Sequence, residues 1–277
     1  MTKRPDRPRV IVGKGEGQLG NRLFQAATFL AASYERGFEV WNPAFGDYAE
    51  FFPAISGDVL CRPWRNGGYV VMRGALCRAV AIAGGSCGEP LVDSLGGAVF
   101  DISRSHDAAE LEYDLCGEHF ADLIKQHPFV IAKGWKFRAR EALWKHREKI
   151  RGVFKPTCDI EKDVRLRVDA AREGFDLLVG VHVRLGDYAE WQGGRYFFSV
   201  ADYARWMCEV VAMNPGRRVG FLVCSNGDID ALTAQKDLKI ARGPGSAVGD
   251  LYALAACDRL IGPPSTFTLW ASYYGQV

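Results

Sequence analysis

The residues best suited to hold an anion in this 277-residue chain lie in LLVGVHVRLGDYAEW, 177–191. An apolar strand there would deliver His182 and Arg184 on one face, since alternate strand residues share a side, and the chain then turns at Gly186-Asp187. Open parallel sheets take ligands at the carboxyl ends of their strands. An arginine held at such an end suits a phosphate, because its planar fork bonds two oxygens at once and stays charged. Plainer roles compete: Arg184 could pair with Asp187 to brace the turn, and His182 could be a buried, hydrogen-bonded core residue.

A second such stretch is GDLYALAACDRLIGPPSTFTLWASYYG, 249–275. A short helix leads to a strand, a proline-pinned turn, and Ser265-Thr266 opening a new helix, where hydroxyls and backbone amides would converge on an anion. The alternative is an ordinary serine N-cap. Asp250, at the start of the earlier helix, could cap it or hold a base edge with its two acceptor oxygens. Asp228-Ile229-Asp230 has the D-x-D form that many metal-dependent glycosyltransferases use for a divalent cation, but it follows the strand VGFLVCS and precedes a helical run, so helix capping explains both carboxylates.

Near the start, VIVGKGEGQLGNRLFQAATFL places Gly15, Gly17 and Gly20 in the spacing G-x-G-x-x-G between a strand-like run and a helical one. A dinucleotide fold would need an acidic residue about 20 positions on, at the end of the next strand. That strand is FEVW, followed by Asn42-Pro43, with Glu39 inside it, so a redox cofactor is not expected. The chemistry passes to the residues around the glycines. Asn21 opens the helix as an N-cap or as part of an outward polar patch, Gln25 follows one turn on, and Glu16 is either a solvated loop charge or a base.

Strand-like runs alternate with helical ones, which predicts an α/β protein with parallel sheet. Strands are expected at 9–13, 38–41, 129–132, 176–183, 218–225 and 258–262, and helices over NRLFQAATFLAASY, 141–154, 201–213 and 250–257. The stretch 45–128 is rich in glycine and turns, and a boundary near 155–163 divides the chain into domains 1–157 and 158–277.

Composition excludes several classes of function. With 35 basic and 33 acidic residues the net charge is +2, so no strong field argues for a nucleic-acid partner. The basic opening MTKRPDRPR, with Lys3, Arg4, Arg7 and Arg9, would give at most peripheral contact with an anionic membrane. No apolar run reaches the ~18 residues of a membrane span, and the N-terminus lacks the apolar segment expected of a signal peptide. The eight cysteines are scattered without metal spacing, which fits a reducing cytoplasm.

Taken in order, GQLGNRLFQAATFLA, KGWKFRAREALWKHREKIRGVF, HVRLGDY, YFFSVADYARWM, FLVCSNGD and STFTLWASYYG resemble the successive motifs of the alpha-1,2-fucosyltransferase family over nearly the whole chain. The resemblance implies a GT-B fold: two Rossmann-like domains with a cleft between them, the first on the acceptor side and the second binding the donor GDP-fucose. It implies transfer of fucose to a hydroxyl of a glycan acceptor with inversion and without a metal or other cofactor. Carried over by position, Arg184 holds the β-phosphate and Ser265, Thr266 and Phe267 close on the diphosphate. His182 and Asp250 contact the nucleoside, Asp250 through guanine, and Asn21 sits near the phosphate or fucose. Glu16 is the expected base, as in a related protein O-fucosyltransferase group with a glutamate in a similar glycine-rich turn, and Asp187 is the reserve. Trp41, Trp64, Trp135 and Trp191 are candidate stacking rings for the acceptor, or core. The chain departs from the family pattern at Leu185, where many relatives have a second arginine, at Pro263-Pro264, and at Thr268-Leu269-Trp270; it ends at Val277, soon after the last motif, where a further terminal element would be expected. These departures keep two rivals open: transfer from another GDP-sugar or to another linkage, and a non-catalytic nucleotide-sugar-binding protein.

Overall fold

The structure is a computed structural model that describes residues 7–67, 72–104 and 112–277. Lys3 and Arg4 of the basic opening therefore lie outside the described residues. Two compact units divide the chain, Met1–Lys155 and Pro156–Val277.

Ten strands occur among the described residues: β1 Arg9–Val12, β2 Glu39–Trp41, β3 Ala98–Asp101, β4 Tyr113–Asp114, β5 Phe129–Lys133, β6 Phe137–Arg138, β7 Leu177–Val183, β8 Val219–Ser225, β9 Ile240–Arg242 and β10 Arg259–Ile261. The first unit holds a parallel sheet of order β2-β1-β5-β3 and the small parallel pair β4-β6. The second holds a parallel sheet of order β10-β7-β8-β9. All six expected strands form. β7 is buried at every residue, as expected of a strand covered on both faces of a parallel sheet. Tyr203, Met207, Phe221 and Val223 complete its apolar surroundings.

The helix Leu19–Arg36 buries its apolar stripe and ends at Gly37, whose φ of 73° places it in the left-handed region that glycine favours. The charged segment expected as one helix over 141–154 is two, Arg140–Lys145 and Arg147–Val153, broken at His146. His146 has left helical geometry (ψ 14°), and its imidazole meets the Glu35 carboxylate. The charge-rich run around 155–163 is not only a separator. Pro156 and Thr157 lead directly into the helix Cys158–Arg172, of which only Val164, Val168 and Ala171 are buried. Arg172 fixes this helix to the sheet: its Nη1 donates to both Asp258 oxygens at 2.9 and 2.7 Å, and Asp258 also accepts the Leu178 N–H at 2.8 Å. All eight cysteines are free thiols. Among the described residues no helix is long and apolar enough to cross a membrane.

Candidate functional site

In the second unit, the carboxyl end of β7 and the first turn of the helix Thr266–Gly275 meet through a chain of polar side chains. His182 is buried in β7, and its Nδ1 lies 2.8 Å from the Thr268 hydroxyl. That hydroxyl lies 3.2 Å from Ser265 Oγ, which also accepts the Thr268 N–H as the helix N-cap. The Tyr188 hydroxyl hydrogen-bonds Ser265 in turn. Phe267 lays its ring on the imidazole, with centroids 4.7 Å apart and planes at 34°. Gly262 permits this junction, since a Cβ there would come within 2.9 Å of the Thr268 hydroxyl and 3.1 Å of His182 Cβ.

Burial, with the Arg184 charge adding to it, pushes His182 down from 6.5 to about 4. The ring is therefore neutral near pH 7, with one nitrogen donating and the other accepting. Arg184 itself lies over the Tyr188 ring at 5.1 Å and donates from Nη2 to Asp187 at 2.9 Å. The turn-bracing ion pair is thus present, and it leaves the rest of the five-donor fork for other oxygens. Leu185, at the position of the second arginine, packs against the β7–β8 core, and its N–H donates to Asn226 Oδ1 at 2.8 Å. Trp191 stacks on Tyr188 at 4.9 Å, at the edge of the same loop.

Asp250 does not cap its helix. The cap is Ser246, whose hydroxyl accepts the Gly249 N–H, and Asp250 lies one turn inside Ala247–Ala255. Its Oδ1 accepts the Gly245 N–H at 2.7 Å, and burial raises its pKa despite that bond. The D-x-D carboxylates are engaged separately: Asp228 Oδ1 accepts the Asp230 N–H at 2.8 Å, and Asp230 pairs with Arg242. Among the described residues no group of three His, Cys, Asp or Glu side chains is placed to hold a metal ion.

In the first unit, the glycine loop follows β1. Asn21 is not the N-cap expected of it: the helix starts at Leu19 with Gln18 as the cap, and Asn21 is its third residue. Its amide packs over Gly17, where a Cβ would overlap it, and Gly17 has φ +62°. Gln25 is buried, with Nε2 donating to Lys14 O at 3.1 Å and Gly134 O at 3.4 Å, so it ties the loop to the turn after β5. Glu16 is partly exposed and lies 3.3 Å from Lys14 Nζ.

Two residues of this framework are not evident in the sequence. Thr268 joins His182 to Ser265, and its only signal is a hydroxyl three residues after an N-cap serine. Arg22 crosses the glycine loop, donating from Nε to Gly17 O at 3.1 Å and from Nη1 to Ala44 O at 2.6 Å. Its guanidinium occupies the space a Cβ at Gly15 would need. Gly17→Ala should therefore destabilise the chain by about 1–3 kcal/mol, from left-handed strain and the displaced Asn21 amide. Urea unfolding checks this, with Gly152→Ala as control, because a Cβ at Gly152 meets nothing within 4 Å.

Residues 157–276 match the model of Glycosyl transferase family 11. No curated protein matches the chain in sequence. A mutant of Arabidopsis thaliana FUT1 in complex with GDP is similar in structure at TM-score 0.65 and 15% identity, covering 99% of this chain and 70% of that one. The fucosyltransferase NodZ from Bradyrhizobium aligns at TM-score 0.57 and 15% identity, over 96% of this chain and 92% of its own. POFUT1 in complex with GDP-fucose aligns at TM-score 0.57 and 12% identity, over 99% and 95%. The two parallel sheets are those of the GT-B fucosyltransferase structures. The family match is confined to residues 157–276, where the chain is similar to Glycosyl transferase family 11.

Proposed function

We propose that the protein transfers L-fucose from GDP-fucose to a hydroxyl of a glycan acceptor, forming an alpha-1,2 link to galactose with inversion. The observation that carries this is Arg184, which directly follows β7 and lies over Tyr188, whose hydroxyl bonds Ser265 at the N-terminus of the helix Thr266–Gly275, all within the residues matched to family 11. The relatives similar in fold were solved with GDP or GDP-fucose, which supports the choice of donor.

In the proposed step the acceptor oxygen forms a bond to the anomeric carbon as the bond to the β-phosphate oxygen breaks, and GDP leaves with the electron pair. Arg184 and the first-turn amides around Thr266 and Phe267 stabilise the charge that grows on the leaving diphosphate, which is the work a cation does in D-x-D enzymes. The neutral His182 and the buried Asp250 bind the nucleoside, Asp250 accepting from the guanine edge. Asn21 and Gln25 form the donor-facing side of the glycine loop. Glu16 takes the acceptor proton. Asp187, held by Arg184, is the reserve for that role.

A panel of nucleotide sugars offered with galactose-terminated acceptors tests the reading. The expected result is GDP release and fucosylated product from GDP-fucose alone. Turnover of a different GDP-sugar would reassign the donor, in keeping with Leu185, and GDP binding without transfer to any acceptor would make the protein a non-catalytic binder. Failure to bind GDP at all would remove the role given to Arg184.

A further inference from the structure

The first unit contains a cavity of about 640 Å³ that none of the residues given a part in the proposed transfer lines. It is lined by Arg7, Arg9, Arg62 and Arg65 together with Glu39 and Trp64. Arg9 opens β1 and Glu39 opens β2, so the cavity sits at the amino ends of these strands, whereas the glycine loop follows β1 at its other end. Parallel sheets place their nucleotide crevices at the carboxyl ends.

Charge is unbalanced there. Glu39 is shared by Arg62 at 3.2 Å and Arg9 at 3.8 Å, while Arg7 and Arg65 have no ion pair among the described residues. Arg62 is further held by the buried Asp58 at 2.7 Å, so it is a fixed wall of the cavity. Arg9 lies over the Trp41 ring at 5.0 Å, and its Nε is buried without a hydrogen-bond partner. The cavity thus has more guanidinium donors than Glu39 can satisfy.

The backbone adds an independent sign. Trp64 has φ +60°, a conformation a bulky residue rarely holds, and its N–H is pinned to Ala54 O at 2.6 Å. The strain presents an indole that is 72% exposed at the cavity edge. An exposed ring beside guanidinium forks matches a ligand with a flat or apolar body and a phosphate oxyanion.

We propose that this cavity binds a phosphate ester, the phosphate on Arg7, Arg9 and Arg65 and the esterified group against Trp64. The ester could be a free sugar phosphate or a lipid headgroup. The two sources are separated by calorimetry with glucose 6-phosphate and by co-sedimentation with phosphatidylglycerol against phosphatidylcholine vesicles, each on the full chain with the donor site saturated by GDP.

Binding to at least one probe is expected, weakened tenfold or more in Arg7→Gln/Arg65→Gln and in Trp64→Gly, with GDP affinity unchanged in both. Glycine accepts the Trp64 backbone geometry and both arginines are outside the core, so the variants should fold. Response to glucose 6-phosphate would identify a free ligand, and response to phosphatidylglycerol vesicles alone a headgroup. Silence with both probes, or binding that survives both variants, would overturn the proposal without touching the donor reading.

Discussion

Arg184→Ala is expected to lower kcat for fucosyl transfer by about 10²- to 10³-fold, a loss of ~3–4 kcal/mol of transition-state stabilisation typical of removing one preorganised donor from a developing oxyanion. The effect should fall on kcat more than on KM, because the charge on the leaving diphosphate grows as the bond breaks. Arg184→Lys keeps the charge but not the fork and should recover only part of the rate. Stability should hardly change, since the Asp187 side chain of the pair is largely exposed and such pairs contribute about 0–1 kcal/mol. Steady-state kinetics with GDP-fucose and urea unfolding of each variant make the test. A folded Arg184→Ala enzyme within threefold of the parent kcat would reduce Arg184 to its ion pair with Asp187.

His182 should make the protein acid-sensitive. Its folded pKa of about 4 lies below the ordinary 6.5, so between those values the unfolded chain binds a proton that the native state refuses. Above pH 6.5 neither state is protonated and this stabilisation is complete. It is lost as pH falls from 6.5 toward 4, by about 3 kcal/mol at the lower end. His182→Gln removes that dependence while leaving a polar group facing Thr268. Urea unfolding at pH 7.5, 6 and 4.5 should show the parent's advantage over the variant shrinking with acid, and carboxylate titrations common to both cancel in the difference. A constant gap over that range would show that the buried ring does not titrate as described. Burial is the larger cause and Arg184 adds to it, so Arg184→Ala should also raise the His182 pKa.

Of the six strands legible in the sequence, β1, β5, β7 and β8 are largely buried apolar runs, whereas β2 and β10 are three residues long and only partly buried. β3 and β9 are not among them: no residue of either is buried, AVFD ends on Asp101 in the glycine- and turn-rich stretch, and IAR ends on Arg242. Strands β4 and β6, of two residues each, depend entirely on tertiary pairing. The helix break at His146 was hidden because the apolar spacing continues through it, whereas the interruption comes with a contact to Glu35, more than a hundred residues away. At the site, the Arg184–Asp187 pair could be read from its spacing of three. The start of the glycine-loop helix could not: Gly20 is a poor helix former, which points to a cap at Asn21, one turn after the actual cap Gln18. Arg22 was invisible for a related reason, since its path is set by a side chain that Gly15 lacks.

That path has an energetic consequence. Because Arg22 belongs to the helix Leu19–Arg36 yet bonds Gly17 O and Ala44 O, the glycine loop cannot loosen without breaking bonds made from the helix. Loop and helix form one cooperative unit rather than a lid on a hinge. Conformational entropy that a free glycine-rich loop would lose on meeting a ligand has already been lost in folding.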